Sequence, residues 1–445
     1  MKKDNRLSFF ETLTMATGFT IGSGIITLTG IGIGMTGRSV FIAFAVCAVL
    51  FLISFRPLFI MSSVLPRMSA AYSYSKELIT KEAGGLYVYI YFFGRITIAI
   101  FGISIAQYLA SLIPALNNPV GMKVVAAGVL TLFYIINLFG IKNAAIVQNV
   151  LFVILVFSLI SFVIFGIGKV ESNFFEQKAF FVNGFSGFYS AVSLLFFAVG
   201  GAYIITDFAP KIRNPEKVMT KVIYIVTIGV TVLYMFIGIV ASGVIPQAEA
   251  AYQSLVVTAR IVYPNNLLFS IFIVGGALGA LITTLNSSFV WYSSSLIQAC
   301  KDGWLPKAWG KTNKYEVPYI LTTIFYILGL IPALLGMDLT VVSKIAVGMT
   351  ILSILIPMAG ILKLPEKYPE EWKQSVYSKR YPKWRLRTMV VITYLIMSTQ
   401  VYALFAGNPA TANVIILLYI LGVGLYLFFK SKYKTLKTEG EGEKD

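Results

Sequence analysis

The chain has 445 residues, of which 57% are hydrophobic and only 12% charged, with a mean hydropathy of +0.81. Soluble globular proteins carry about 25% charged residues, so a soluble enzyme, a disordered chain and a secreted disulfide scaffold are excluded. A net charge of +17 would suggest nucleic acid in a soluble protein, but in a chain this apolar it points to basic residues sorted across a membrane.

In chain order, twelve segments approach or exceed the roughly 20 residues an apolar helix needs to span a bilayer. They run 12–36, 39–65, 86–113, 121–140, 145–168, 186–208, 219–243, 266–297, 318–336, 340–362, 388–407 and 411–430. An even number puts both ends of the chain on one side. Of 36 Lys and Arg, 28 fall on that side. Five fall on the other (Arg38, Lys123, Lys169, Lys178 and Arg260) and three within spans (Arg56, Arg95 and Lys344). Basic loops stay in the cytoplasm, so the expectation is a multi-pass protein of the cytoplasmic membrane with both termini inside. The bilayer then accounts for the charge, and no nucleic-acid partner is expected. Lys2 and Lys3 ahead of the first apolar run imitate a signal peptide, but the run is long and lacks a small-residue cleavage site, so it reads as a retained span.

Several chemistries drop out. The chain has no histidine, which removes imidazole relays, imidazole metal ligands and Ser-His-Asp triads. Cys47 and Cys300 make neither a disulfide framework nor a metal site. No acidic residue falls at mid-membrane, so an intramembrane enzyme built on paired carboxylates is not expected. The basic, aromatic segment 363–387 reads as a cytoplasmic connector lying on anionic headgroups. The Glu/Gly-rich tail over 431–445 reads as disordered.

Two spans carry sequence that disfavours their own helices. The first holds Gly22-Ser23-Gly24, then Gly30, Gly32, Gly34 and Gly37; the sixth holds Gly200-Gly201. Glycine costs about 1 kcal/mol relative to alanine in a helix interior, so both clusters favour unwinding, and unwound backbone at membrane depth must face a protein cavity. Gly30, Gly32 and Gly34 read as packing contacts that let helices approach. Gly22–Gly24 and Gly200–Gly201 read as a site because they stand five spans apart. A shift of five inverts helix direction, as in two five-helix repeats of opposite topology, whose interrupted helices hold the substrate in secondary transporters. A half-helix starting near Ser23–Ile25 offers free N–H groups to a carboxylate. The carbonyls of Thr20, Ile21 and Phe196–Val199 suit an ammonium or a small cation. Together they imply an α-amino acid held by backbone.

Ile21-Gly22-Ser23-Gly24-Ile25 is similar to the first-helix signature of the amino acid–polyamine–organocation (APC) transporters. So are Phe197-Ala198-Val199-Gly200-Gly201, Lys211-Ile212-Arg213-Asn214-Pro215, Lys301-Asp302-Gly303-Trp304-Leu305-Pro306-Lys307, and Pro66-Arg67 with Tyr72-Ser73-Tyr74. The matches keep their order over roughly residues 10–320. The resemblance implies the LeuT-type fold: an all-α membrane protein of twelve transmembrane helices, with helices 1 and 6 unwound mid-membrane. Residues 1–168 and 186–362 would be inverted repeats of five helices each, followed by two C-terminal helices over 388–430. It also implies a permease working by alternating access on an amino acid. Carried over residue by residue, Gly22, Ser23 and Gly24 match the carboxylate cradle. The carbonyls of Ile21, Phe197 and Val199 or Gly200 match the ammonium acceptors, and Phe197 matches an aromatic lid. Ile25, Ala198, Gly201 and Tyr203 belong to the same two stretches. Ile98, Phe101 and Ile105 on the third helix, with Asn286 and Ser288 on the eighth, are positioned like side-chain pocket residues.

The departures bear on coupling. Ala70-Ala71 stand where the family often has Gly-Gly, and Tyr203 where it often has an acid. Leu155 stands where many proton-linked members carry a lysine after a pair like Gln148-Asn149, so a lysine amine does not fill the cation site. Thr283, Thr284, Ser287 and Ser288, together with Thr20, present hydroxyl oxygens that suit Na+; bonding back to their own helix is the competing use. Sodium coupling, proton coupling, and uncoupled exchange or uniport all stand as alternatives, with an ion cotransporter on the same fold more distant. No cofactor is expected beyond a Na+ ion. Glu11 with Arg67 or another loop base, and Asp207 with Lys211, are expected inner-gate pairs. Arg95 is expected to face an aqueous vestibule, to pair with a cytoplasmic carboxylate, or to snorkel to the cytoplasmic surface. The neutral pocket points to a neutral amino acid, and a monomer or weak homodimer is expected.

Overall fold

The structure, a computed structural model, describes residues 6–140 and 144–442. Lys2, Lys3 and Lys444 lie outside the described residues, as do the side chains of Gln148, Asn149 and those beyond Lys430. Regular structure among the described residues is helical, apart from one parallel bridge between Leu7 and Ile212. Among the described residues, ten helical stretches are long and apolar enough to cross a membrane, and Tyr319–Leu335 is a shorter apolar helix.

The first span is two half-helices, α1 (Phe9–Thr20) and α2 (Ser23–Thr36). Ser8 and Glu11 start α1 with a reciprocal capping box, Ser8 N–H donating to the Glu11 carboxylate at 2.8 Å and Glu11 N–H to the Ser8 hydroxyl, which satisfies two orphan donors of the first turn. Then come α3 (Val40–Ser54), α4 (Arg56–Val64) and the short α5 (Ala70–Tyr74). The third span is kinked into α6 (Lys81–Gly94) and α7 (Thr97–Leu112). The helices α8 (Pro119–Leu138), with Asn118 as its cap, and α9 (Ala144–Gly166) follow. After α10 (Gln177–Phe180), α11 (Gly184–Val199) continues without interruption into a 3-10 helix over Gly200–Lys211. This corrects the expected unwinding of the sixth helix: the glycine pair changes the helix type instead of opening it.

The long α12 (Pro215–Gly243) leads to α13 (Gln247–Ala250), α14 (Val256–Val262) and α15 (Asn266–Ser270). From α15 a π-helical stretch, Ile271–Leu278, runs into α16 (Gly279–Lys301). Next are α17 (Tyr319–Leu335), stopped by Gly336 at φ +68°, and α18 (Leu339–Met358), capped by the Asp338 carboxylate. Short α19 (Leu364–Lys367), α20 (Pro369–Gln374) and α21 (Val376–Arg380) precede α22 (Lys383–Ala406) and α23 (Ala410–Gly442). The break after α1 and the modest length of α17 explain why fewer full-length stretches appear than the twelve read from sequence. The last helix continues to Gly442, through the segment expected to be disordered.

The centre of the bundle is the third, sixth and tenth spans, each 72% buried, while α8 is only 11% buried. Outward side chains on α23 are Val414, Ile415, Leu417, Leu418, Leu421 and Leu425, as expected of a face turned to lipid. In the connector over 363–387 several aromatic side chains turn in: Tyr381 accepts from Arg56, Tyr368 donates to Glu77 at 3.1 Å, Tyr377 bonds Thr220 at 3.0 Å, and Trp372 is buried, while Trp384 is exposed.

Three polar ties fix the ends of the bundle. Arg38, only 2% exposed, pairs with Glu171 and donates to the Asn173 and Ser242 carbonyls at 2.8 and 3.2 Å. Asp302, just beyond α16, accepts from Tyr72 and from Lys76 at 2.8 Å. Leu7 donates to the Lys211 carbonyl at 2.7 Å and accepts from Arg213 N–H at 2.9 Å, joining the start of the first span to the end of the sixth.

Candidate functional site

The first span breaks where its sequence disfavours helix. Thr20 ends α1, Ile21 is extended (φ −84°, ψ 97°), Gly22 takes φ −152° and ψ −147°, and Ser23 starts α2. Two tyrosines brace the halves: Tyr234 donates to the Thr20 carbonyl at 2.9 Å and Tyr108 to the Ile26 carbonyl at 3.2 Å. Ser23 N–H donates to Thr284 Oγ1 at 3.3 Å. No described group accepts from the N–H of Gly24 or Ile25, and the buried Ser23 hydroxyl has no partner either. These are donors at a helix N-terminus, left open at the wall of a cavity.

That cavity is about 600 Å3. It runs along α1 from Phe10, Glu11 and Thr14 to Gly22, Ser23 and Gly24, bounded by Phe197, Gly200, Gly201 and Tyr203 on the sixth span. Thr283, Thr284, Ser287 and Ser288 line it from α16, Phe101 from α7, and Leu151, Phe152 and Leu155 from α9. Exposure falls along the first span, from Glu11, Thr14 and Gly18 to a continuously buried α2. The cavity therefore opens at the amino end of α1. Its far side is shut by Phe101 against Phe197, centroids 6.3 Å apart, and by Tyr252, whose N–H donates to the Gly30 carbonyl at 2.8 Å.

The glycines divide differently from expectation. Gly30 faces the Gln253 backbone, Gly34 the Tyr252 ring, and Gly32 Val40 and Leu195, all packing contacts. Gly24 and Gly201 are packing contacts too. A Cβ on Gly24 would lie 2.7 Å from Ala198 Cα, and one on Gly201 would collide with the Phe19 carbonyl. The two helices interlock at their irregular points, so close approach and site are one feature. At the α-to-3-10 junction the hydrogen-bond register drops from i+4 to i+3, which leaves a carbonyl near Phe197 without its ladder donor.

Of the expected pocket residues, the structure gathers Thr20, Ile21, Gly22, Ser23, Gly24, Phe101, Phe197, Gly200, Gly201, Tyr203, Thr283, Thr284, Ser287 and Ser288 around the cavity. Others point elsewhere. Ile25 and Ile105 are buried in the core, and Val199 with them. Ala198 meets Gly24, and Ile98 packs on Gly329. Asn286 accepts from Asn137 Nδ2 at 2.9 Å and so ties α16 to α8. The hydroxyls of Thr283 and Thr284 donate to the Gly279 and Ala280 carbonyls at 2.9 and 2.7 Å, and Thr20 to Ala16 at 2.8 Å.

The expected gate partners stand apart in this structure, whose cavity is open at that end. Glu11 faces its own cap, and Arg67 pairs with Glu77 at 3.0 Å beneath the Tyr368 ring. Asp207 accepts from Ala70 N–H at 2.8 Å, while the Lys211 ammonium stands over Phe208.

Sequence reasoning missed part of the lining. Trp291 and Tyr292 extend the Ser287–Ser288 face by one turn, a signal present in the i+3 and i+4 spacing. Thr350 and the α9 side chains arrive by tertiary packing. Arg95 lines the cavity and is only 3% exposed, so it does not snorkel.

A cavity inside a bundle of apolar membrane helices, open at one end and walled by an interrupted helix, defines a membrane transporter. The chain matches the amino acid permease family over residues 7–425. It belongs to that family, and so to the APC superfamily transporters, and amino acid transport is its activity. It is 26% identical to the branched-chain amino acid permease BcaP of Bacillus subtilis over 394 residues, 82% of each chain. It is 28% identical to an uncharacterized protein of Methanocaldococcus jannaschii, over 70% of this chain and 73% of the other. It is 24% identical to the methylthioribose transporter of Bacillus subtilis, over 82% of each chain.

Proposed function

We propose that the protein carries a neutral α-amino acid across the cytoplasmic membrane by alternating access, with leucine, isoleucine and valine as first candidates. One observation carries this reading: the open backbone donor at Gly24 and the orphan Ser23 hydroxyl border a cavity whose neighbouring walls are Phe101, Phe197, Leu151 and Leu155. The donors suit an α-carboxylate, the carbonyls of Ile21 and Phe197 an ammonium, and the apolar walls a hydrocarbon side chain. The two relatives named as branched-chain amino acid permeases, from Bacillus subtilis and Lactococcus lactis, support the side-chain class.

In this reading the first and sixth spans are corresponding members of two inverted five-helix repeats, within twelve spans with both termini inside. The cavity then opens to the cytoplasm. Outward opening requires the Phe101–Phe197 and Tyr252 closures to part while α1 swings against the 3-10 segment. Sodium is the proposed co-substrate. The Thr283 and Thr284 hydroxyls donate to their own helix yet keep oxygen lone pairs for an ion, and Ser287 and Ser288 stand beside them.

The test is uptake of labelled leucine into proteoliposomes, in competition with each of the twenty amino acids, under imposed Na+ or proton gradients. Competition by neutral amino acids and acceleration by Na+ are expected. Competition only by arginine, lysine or polyamines would overturn the substrate class. Transport that needs internal amino acid and ignores both gradients would replace symport with exchange.

A further inference from the structure

Arg95 is the charged group that the proposed function leaves unused. It sits at the junction of α6 and α7, where the ladder tightens. Arg95 N–H bonds the Phe92 carbonyl and Ile98 N–H bonds the Arg95 carbonyl, both at 3.1 Å and both at i+3 spacing. Gly94 just before it packs on Met349 of α18. The kink holds the side chain about 20 Å along the helix from Lys81, at 1.5 Å per residue, deep in the bundle.

Its surroundings favour a cation without an ion pair: the buried Asp207 carboxylate attracts it from a distance but is held by Ala70 N–H at 2.8 Å. The guanidinium carbon lies 4.0 Å from the Tyr91 ring centroid and 4.5 Å from that of Tyr292, with Trp291 at 6.0 Å. Nε donates to the Tyr91 carbonyl and Nη2 to Thr350 Oγ1, each at 3.2 Å. No carboxylate forms an ion pair with Arg95 among the described residues, and Nη1 makes no hydrogen bond there. Aromatic faces stabilise a guanidinium by about 1–2 kcal/mol each, well short of a full counter-charge at this depth. The same side chain lines the substrate cavity.

We infer that Arg95 is an anion subsite of the cavity, taking one small monovalent anionic group on its Nη1 edge beside Thr350. Guanidinium has the fork geometry that carboxylates match, and it stays charged at any working pH. The anion has two sources, a free halide such as chloride or a carboxylate carried by a transported amino acid. This inference rests on the cavity being the transport site. It adds that the cavity repels cationic substrates and gains affinity when the second anionic group is present.

The experiment compares thermal stability of the purified wild-type protein with that of Arg95→Gln and Arg95→Lys. Sodium chloride is titrated against sodium gluconate at constant ionic strength, and separately glutamate and aspartate are titrated against glutamine and asparagine. A melting temperature that rises with chloride in wild type and not in R95Q assigns the halide source. A rise with the acidic amino acids over their amides assigns the carboxylate source. R95K keeps the charge without the fork and is expected to weaken apparent anion affinity about tenfold. Absence of both responses in wild type overturns the subsite whether or not the variants fold. Leucine uptake that proceeds without an anion effect would sink this inference and leave the permease reading intact. Anion stabilisation without uptake of any amino acid would do the reverse.

Discussion

Gly24 is the position where packing and site are hardest to separate, and a single methyl group tests both. Gly24→Ala places a Cβ 2.7 Å from Ala198 Cα and 3.1 Å from Ala198 Cβ. Carbon atoms pack best at about 3.5–4.0 Å, so α2 and α11 must separate by about 1 Å. The obstruction is backbone, which no rotamer change relieves. Overpacking of this kind costs about 1–3 kcal/mol, and the strain falls on the wall that carries the open amides. If the site absorbs even 1.4 kcal/mol, affinity drops about tenfold. Gly18→Ala is the control, because a Cβ there meets nothing within 4 Å and alanine gains up to about 1 kcal/mol of helix propensity. The assays are thermal unfolding of the purified protein and initial rates of leucine uptake. G24A is expected to melt lower and to raise the apparent KM at least tenfold, while G18A melts at or above wild type with uptake unchanged. A G24A protein matching wild type in both assays would refute the interlock.

Three further outcomes follow from contacts already described. Tyr234→Phe removes the donor to the Thr20 carbonyl (2.9 Å), a buried acceptor, so a loss of about 1–2 kcal/mol in unfolding free energy is expected, with slower uptake from a looser break. Arg38→Ala strips donors from Glu171, Asn173 and Ser242; a loss of about 2–3 kcal/mol, with little change in KM, would be read by thermal unfolding and transport. Burial of Asp302 works against its charge, yet hydrogen bonds from Lys76, Tyr72 and Gln298 prevail and hold the carboxyl below its usual range. A depressed folded-state pKa stabilises above the unfolded value and is lost as pH falls through the folded one. The melting temperature of wild type should therefore fall more steeply than that of Asp302→Asn below about pH 4, and parallel curves would contradict the tie.

The sequence made the first break legible because glycine cost and membrane depth act locally. The same reasoning misjudged the sixth helix. Propensity says that Gly200-Gly201 disfavour α-helix, but not that a 3-10 ladder will take the strain. Phe101 lines the cavity while Ile98, three residues earlier on α7, packs on Gly329, a division set by the neighbouring helices and not by spacing. The fate of Glu11 was written in the Ser8-to-Glu11 spacing of a capping box, a local signal outranked in our reading by the expected gate. Arg95 was legible as a charge within a span, but its surroundings were not. Two of its aromatic neighbours, Trp291 and Tyr292, lie far along the chain, and only tertiary packing shows that it is buried and faces the cavity.

The bridge between Leu7 and Ile212 also has a temporal side. Leu7 is made about 200 residues before its partner Ile212, an interval of about 10–40 s at ordinary elongation rates. For that interval α1 has neither the 3-10 segment nor α12 to rest on. The amino end of the chain is thus inserted early and anchored late, and until then neither the mouth of the cavity nor its floor exists. The cavity is walled only after the sixth span and, later still, α16 and α18 have been made, because each of them contributes to its lining.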